Sequence, residues 1–416
     1  MNFKRLNNIA SLLFLVSIIT FPRSFIELKL IFLIFFIFSY PFASSKIKVY
    51  PEVIIFYGIL AFIGSVWSVV GIINGGAFRG ISDSFRIWVF WSIAYSVIII
   101  LLRNNDKIKI IHYAFAISGI LIFLINLVGV LNFQFKWGLF SKELIKELEL
   151  HIGFHEGYIQ IMSHNIGSLF FIVPYLMTVY FRRDAGEFNS FLTKTSLLLS
   201  LILAIISGRR ALWLVVFFAP LIIIAMSYFT ASVHLLRKNP KRFINIMIFA
   251  ITFLLFGVAF LFQKELFDSP TLEHLQAAFS SRDPRSIQKG YLFDGFMQYP
   301  IFGSGFGVSA GYIRSQLSPW MYELTYNLIL FNFGIIGTVL LFSLFIIYIY
   351  LIILLIRQNR NGSVIAFAII IGFFSFLIGA YSNPYLGSFD FLIHIGMLPY
   401  LATFKSGYSK PPLITN

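Results

Sequence analysis

Long apolar stretches recur along the whole chain, and segments such as 53–73 and 327–356 run past twenty residues with almost no charge. About twenty apolar residues in helical form span the hydrocarbon core of a bilayer. With no water at that depth, such a run must satisfy its backbone groups internally, which a helix does. The alternating period of a barrel strand is not seen. Only 12% of residues are charged against 58% hydrophobic, and the mean hydropathy is +0.86, which excludes an ordinary soluble domain. The expected fold is therefore all-α, a polytopic integral membrane protein of about twelve transmembrane helices.

Those helices are expected near 7–21, 25–43, 53–73, 85–102, 108–130, 160–181, 195–207, 210–229, 243–262, 327–356, 363–381 and 390–404. Five regions follow: helices over 1–130, an external loop over 131–159, helices over 160–262, a large external loop over 263–326, and helices with a tail over 327–416. Lys and Arg are denser in one set of short loops (Lys46, Arg103, Lys107, Arg182, Arg237, Arg357), which predicts that those loops and both termini are cytoplasmic. Apolar residues of 139–152 recur at near-helical spacing and predict an amphipathic helix in the interface, and 269–279 predicts another. No internal repeat and no paired broken helices are visible, which counts against a secondary transporter.

Cysteine is absent, so disulfides and thiolate metal sites are excluded. The net charge of +15 is spread over loops beside apolar segments, which favours anionic lipid headgroups or a phosphorylated lipid over nucleic acid as partner. His151 and His155 are spaced i,i+4, but Gly153 and Gly157 weaken a helix there and no third ligand is evident, so no metal site is expected. His394 reads as a hydrogen-bonded core residue inside the last helix. No cofactor is implied.

Three constellations can carry chemistry. Ser207-Gly208-Arg209-Arg210 joins two apolar segments with almost no other loop, on the side where positive charge is disfavoured. Guanidinium forks there could pair with phosphate, or they could anchor the chain at the headgroups. Within 263–326 stand Arg282, Arg285, Gln288, Lys289, the run Gly303-Ser304-Gly305-Phe306-Gly307, and Arg314. The alternate glycines allow close approach of backbone to a ligand, or simply make a surface turn. Last, Glu323 precedes Tyr326 and Asn327 at the mouth of the helix containing Gly334-Ile335-Ile336-Gly337-Thr338. A carboxylate facing cations could act as general base or could stabilise the helix terminus. His164 and Asn165, where the first external loop re-enters the membrane, form a candidate pocket wall.

In this order and topology the three constellations resemble the bacterial O-antigen polymerase and O-antigen ligase superfamily, over roughly 196–381. Arg210, with Arg209 beside it, is similar to the family's Arg-bearing turn, and Arg285-Ser-Ile-Gln288 followed by Tyr299-Pro300-Ile301-Phe302-Gly303-Ser304-Gly305-Phe306-Gly307 looks like its "R..Q … P-hydrophobic-hydrophobic-G-x-G-x-G" segment. Ligases typically carry a His-Asn pair nine residues before the Gly-x-x-Gly motif; here those positions hold Glu323 and Leu324. The chain is thus more similar to a Wzy-type polymerase than to a WaaL-type ligase.

The resemblance implies a glycosyltransferase of polysaccharide and lipopolysaccharide biosynthesis. It would sit in the bacterial inner (cytoplasmic) membrane with its active site facing the periplasm. The substrates implied are undecaprenyl-diphosphate-linked oligosaccharides, with membrane lipids and a chain-length regulator protein as further partners. In that scheme Arg209, Arg210, Arg285 and Arg314 hold the diphosphate, and Glu323 takes the acceptor proton. Gln288, Tyr326, Asn327 and His164 contact substrate, while Tyr291, Tyr312, Trp320, Tyr322 and Tyr326 offer faces to sugars. A ligase, a lipid-linked oligosaccharide flippase and a scaffold of an assembly complex are the alternatives.

Overall fold

The computed structural model describes residues 3–43, 47–104, 107–155, 158–182, 190–230, 284–358, 364–381, 383–387 and 391–407, with isolated positions 244, 248 and 252. It is a helical bundle with almost no sheet. In chain order the helices are α1 (Phe3–Thr20), α2 (Ile26–Ala43), α3 (Pro51–Ile73), α4 (Phe78–Phe85), α5 (Ser92–Asn104), α6 (Ile108–Phe135), α7 (Lys142–Glu147), α8 (Ile166–Arg182), α9 (Ser190–Ile206) and α10 (Arg210–Phe229). After these come α11 (Pro284–Gln298), α12 (Thr325–Gln358), α13 (Val364–Ala380) and α14 (Leu392–Gly407). A π-helical stretch, Arg86–Trp91, joins α4 to α5 without a break. Among the described residues, seven helices are long and apolar enough to cross a membrane, and four more apolar helices are shorter. The expected helices 243–262 and 269–279, and Arg282, lie outside the described residues.

Two of the shorter helices are central. α8 and α13 are buried on nearly every face and pack on each other, with Gly372 and Gly379 letting the rings of Phe171 and Phe170 approach the α13 backbone. A helix that is apolar all round belongs in the middle of a bundle. His394 is buried in the same core, stacked on Phe171 at 4.6 Å. Its Nδ1 has no hydrogen-bond partner among the described residues, and the ring is packed among Phe115, Phe171, Phe376 and Phe391.

The chain alternates direction through the bundle. Lys107 reaches Asn7 and Ser11, and Arg103 reaches Thr403, so the start of α1 and the last turns of α14 share one end, the terminus end. Contacts of Ser24 with Glu147, Ile161 with Ser207, Arg209 with Tyr385 and Thr325 with Asn383 gather the connecting segments at the other end, the site end.

Two expectations fail at the site end. The amphipathic helix 139–152 is only Lys142–Glu147, capped by the Ser141 hydroxyl, which accepts from the Leu144 N–H at 3.1 Å. It stops because Glu149 takes a left-handed backbone conformation (φ 47°). Leu144 packs on the protein core and Leu148 and Leu150 are buried, so protein covers that side of the segment, while Leu139 is exposed. The fold is also not purely helical. An antiparallel hairpin, β1 (His151–His155) and β2 (Tyr158–Met162), replaces the start of the expected helix 160–181, and α8 begins at Ile166. Two short runs of period two around Glu156-Gly157 carry the hairpin signal in the sequence.

Candidate active site

α12 is broken at Gly334 (φ 60°, ψ −166°), ten residues into a 34-residue helix. The sequence reading expected no broken helix. The break frees the carbonyls of Phe331 and Asn332 and the N–H groups of Ile335 and Ile336, and the segment after α11 takes them up. Ser304 N–H donates to Phe331 O (2.8 Å), Gly305 N–H to Asn332 O (2.9 Å), Ile335 N–H to Pro300 O (2.9 Å) and Ile336 N–H to Ile301 O (3.1 Å). On its other side the segment meets α3: Trp67 Nε1 donates to Phe302 O (2.6 Å), and Phe306 N–H to Trp67 O (3.1 Å).

The alternate glycines are therefore required by backbone packing. Gly305 (φ 78°) lies so close to α3 that a Cβ would fall 2.1 Å from the Gly71 nitrogen, and at Gly303 (φ 73°) it would fall 2.3 Å from Asn332 O. Their partner is protein, which corrects the reading of a ligand-cradling loop. The lesson is local: three glycines signal close approach but do not say to what.

This splice fixes what flanks it. Arg285 and Gln288, expected in a loop, lie on α11. Gln288 is buried, and its Oε1 accepts from the N–H groups of Glu323 (3.1 Å) and Leu324 (3.3 Å) just before α12. Gln288 thus positions Glu323 and has no side-chain oxygen directed at solvent. The Glu323 carboxylate accepts on both oxygens: from Arg314 Nη2 at 2.5 Å and from Arg285 Nε at 3.3 Å. Glu323 is 27% exposed, and Arg285 and Arg314 are 55% and 46% exposed, so the triad is open to solvent on the arginine side. Two residues on, Thr325 Oγ1 donates to Asn383 O at 2.6 Å, and Tyr326 donates its hydroxyl to Leu377 O between α12 and α13. Asn327 is half-buried in the same first turn.

Of the five aromatics expected to face sugars, three are committed elsewhere. Tyr322 is buried and its hydroxyl accepts from Ala310 N–H (2.8 Å), Trp320 covers Gly80 of α4, and Tyr326 is wedged as above. Tyr291 and Tyr312 remain, with ring centroids 6.0 Å apart and Tyr291 46% exposed, on the arm that bears Arg285.

The Arg-Arg turn forms a second cluster. Gly208 (φ 66°) turns the chain, Arg209 caps α10, and Arg210 opens it; the Arg210 side chain lies outside what is described. Arg209 is half-buried and donates to Tyr385 OH (3.1 Å), Ser163 O (3.4 Å) and Ile161 O (3.5 Å). No carboxylate touches it among the described residues. His164, beside Ser163, bonds the Glu149 carboxylate, while Asn165 is tied to Asn126 and Ser163 in a buried amide network. The His164 hydrogen bond holds the Glu149 carboxyl below the usual carboxylate range against the opposing effect of burial. Burial raises the Tyr385 hydroxyl, partly offset by Arg209 and Arg23. Arg23 and Glu149 were missed in the sequence, where a short loop and a solvated helix face gave no sign of them.

The structure brings Arg285, Gln288, Arg314 and Glu323 together as one group, and Arg209 and His164 as another. The two are linked through Asn383, whose carbonyl accepts from both Thr325 Oγ1 and the Tyr385 N–H. Compared with known protein families and with curated proteins, the chain finds no match. What is defined here is the class: a helical membrane-embedded protein with two arginine-bearing clusters at one end of its bundle.

Proposed function

We propose that the protein is a membrane glycosyltransferase that lengthens a polysaccharide. It would move glycan from a polyprenyl-diphosphate-linked donor to a hydroxyl of a lipid-linked repeat unit, in the manner of Wzy-type polymerases. The observation that carries the reading is the Glu323 carboxylate held between Arg285 and Arg314, with the Tyr291–Tyr312 pair beside it. In the reaction the acceptor oxygen attacks the anomeric carbon, the bond from that carbon to the diphosphate oxygen breaks, and its electron pair leaves with the diphosphate. Cations stabilise that leaving group, and a base receives the hydroxyl proton.

The resting triad suits a base that is released by its substrate. At rest both oxygens of Glu323 accept from guanidinium groups. An arriving diphosphate competes for Arg285 and Arg314, frees the carboxylate and leaves it next to the acceptor. Arg209 and Arg210 add cations from the neighbouring cluster.

The test is purified protein in liposomes supplied with undecaprenyl-diphosphate-linked repeat units. A ladder of products is expected, lost in Glu323→Gln and in Arg210→Ala, with Arg210→Lys still badly impaired because a point charge lacks the bidentate fork. Glycan appearing on lipid A-core and no ladder would favour a ligase; translocation with no lengthening would favour a transporter. Labelling of Gln316→Cys from outside intact inner membrane tests the periplasmic placement of the site, and labelling only after permeabilisation would overturn it.

A further inference from the structure

The end of α11 and the turn after it leave large apolar side chains bare: Met297, Ile301 and Phe302 are 59%, 57% and 55% exposed. In a segment expected as an external loop, contiguous exposure of this kind marks a contact surface. The backbone fixes where these side chains lie. Pro300 O and Ile301 O accept from the N–H groups of Ile335 and Ile336, so the turn is bonded to α12 at its break. The part of α12 beyond Gly334 runs to Gln358, roughly 36 Å at 1.5 Å per residue, and so crosses a hydrocarbon core of about 30 Å by itself. The break therefore stands near one edge of that core, and Ile301 and Phe302 stand there with it.

Two neighbours mark the same level. Ile335, Val339, Ile346 and Tyr350 are exposed at helical spacing down α12, the stripe by which a spanning helix meets lipid, and the turn adjoins the site end of that stripe. α3, also long enough to span, ends beside the turn: Gly71 abuts Gly305, and Ile72 and Ile73 after it are exposed. α11 itself grades from polar to apolar toward this edge. Gln288 meets Glu323 and Gly295 meets Phe331, so α11 runs alongside the first turns of α12 in the same direction. Its outward face begins with Ser286, Lys289 and Gly290 and ends with Phe293 and Met297. Asp294 and Gln298 fall by helical spacing on the flank of Tyr291, which limits immersion to the last turn.

We propose that the last turn of α11 and residues 299–302 are seated in the bilayer leaflet at the site end, with Met297, Ile301 and Phe302 among the acyl chains and Phe293 at the headgroup boundary. Lipid is the occupant selected by continuity with the exposed stripe of α12 and by the polarity gradient of α11. Seated this way, α11 is a strut that fixes the height of the Arg285–Glu323–Arg314 group. That height is the length of the first turns of α12, up to about 14 Å beyond the hydrocarbon edge at 1.5 Å per residue. The seating holds whatever reaction the group performs.

Because the chain has no cysteine, single cysteines report without interference. Ser286→Cys, Met297→Cys, Phe302→Cys and, as a reference half-way down the span, Ile346→Cys are labelled with bimane in full-length protein. The protein is held in nanodiscs of phosphatidylethanolamine and phosphatidylglycerol, and the quenchers are lipid nitroxides near the headgroup, lipid nitroxides near the chain end, and aqueous iodide. At 297 and 302 the largest loss of fluorescence is expected from the shallow nitroxide, at 346 from the deep one, and at 286 from iodide. Loss to iodide alone at 297 and 302 would put the turn in water and overturn the seating. Protection there from all three quenchers would mean that protein covers the face, and would overturn it as well. Unsubstituted protein gives an independent check. A diazirine on the acyl chain of bulk phospholipid should crosslink to the 293–302 peptide, and crosslinks confined to spanning segments such as 335–350 would refute the proposal.

Discussion

At the terminus end of the bundle, Lys107 is buried with its ammonium on Asn7 O, Asn7 Oδ1 and Ser11 Oγ and lies over the Phe36 ring. Arg103 donates to Thr403 and covers the Phe404 ring at 3.9 Å, and Arg357 donates to the last carbonyl of α10. At the site end, by contrast, two arginines converge on one half-buried carboxylate, and Arg209 rests on a hydroxyl and two carbonyls. The first group of cations ties helices together through neutral partners and rings. The second keeps guanidinium surface open to solvent or, among the described residues, without an anion. Position along the sequence does not distinguish them; their partners do.

The comparison can be broken in several ways. The largest effect is expected at the splice that supports the site end: Gly305→Ala places a methyl group 2.1 Å from the Gly71 nitrogen, backbone that cannot yield. Loss of monodisperse protein on size exclusion in detergent is the expected result, and a normal profile would show that the glycines are not needed for packing. Next, Glu323→Gln should keep its melting temperature yet lose about 10²–10⁴-fold in turnover, the range for removal of a general base. A loss of threefold or less would reduce Glu323 to an organiser of its two arginines.

Lys107→Ala should behave in the opposite sense. It removes the buried ammonium that Asn7 O, Asn7 Oδ1 and Ser11 Oγ share, at a cost of about 1–3 kcal/mol in stability, with turnover per folded molecule retained. A variant with normal stability and lost turnover would erase the distinction between the ends. The smallest effect concerns pH. The folded-state pKa of Glu149 is depressed, so its contribution is complete above the ordinary carboxylate range and fades as pH falls through the depressed value. Glu149→Gln should flatten the acid limb of the melting-temperature profile; an unchanged limb would mean that the His164 contact contributes nothing.

Helices were the legible part of the sequence, because apolar length alone decides what can lie in a bilayer. Segments 210–229 and 108–130 fall on α10 and α6 for that reason. The period-two signal of the hairpin competes with a helical reading, because Ile159 and Ile161 also fit the start of an apolar helix, and the bond from Ile161 N–H to Ser207 O that docks β2 lies 46 positions away by residue number. Arg285, Arg314 and Glu323 could each be picked out as polar residues in a greasy chain, but not their convergence, which depends on Gln288 and on α11 being helical. Arg23 gave no signal at all: in sequence it is a basic residue near a helix end, as interface anchors are.

The splice at Gly334 also orders the making of the protein. Trp67 is synthesised 235 residues before its partner Phe302, so α3 enters the membrane long before anything can fill the groove at Gly71. The segment that carries Arg285 on one flank and Glu323 on the other has nowhere to dock until α12 has been inserted and has opened its ladder at Gly334. A nascent chain stopped before that point holds most of its helices and none of its arranged triad, so maturation of the site is a terminal event in biogenesis.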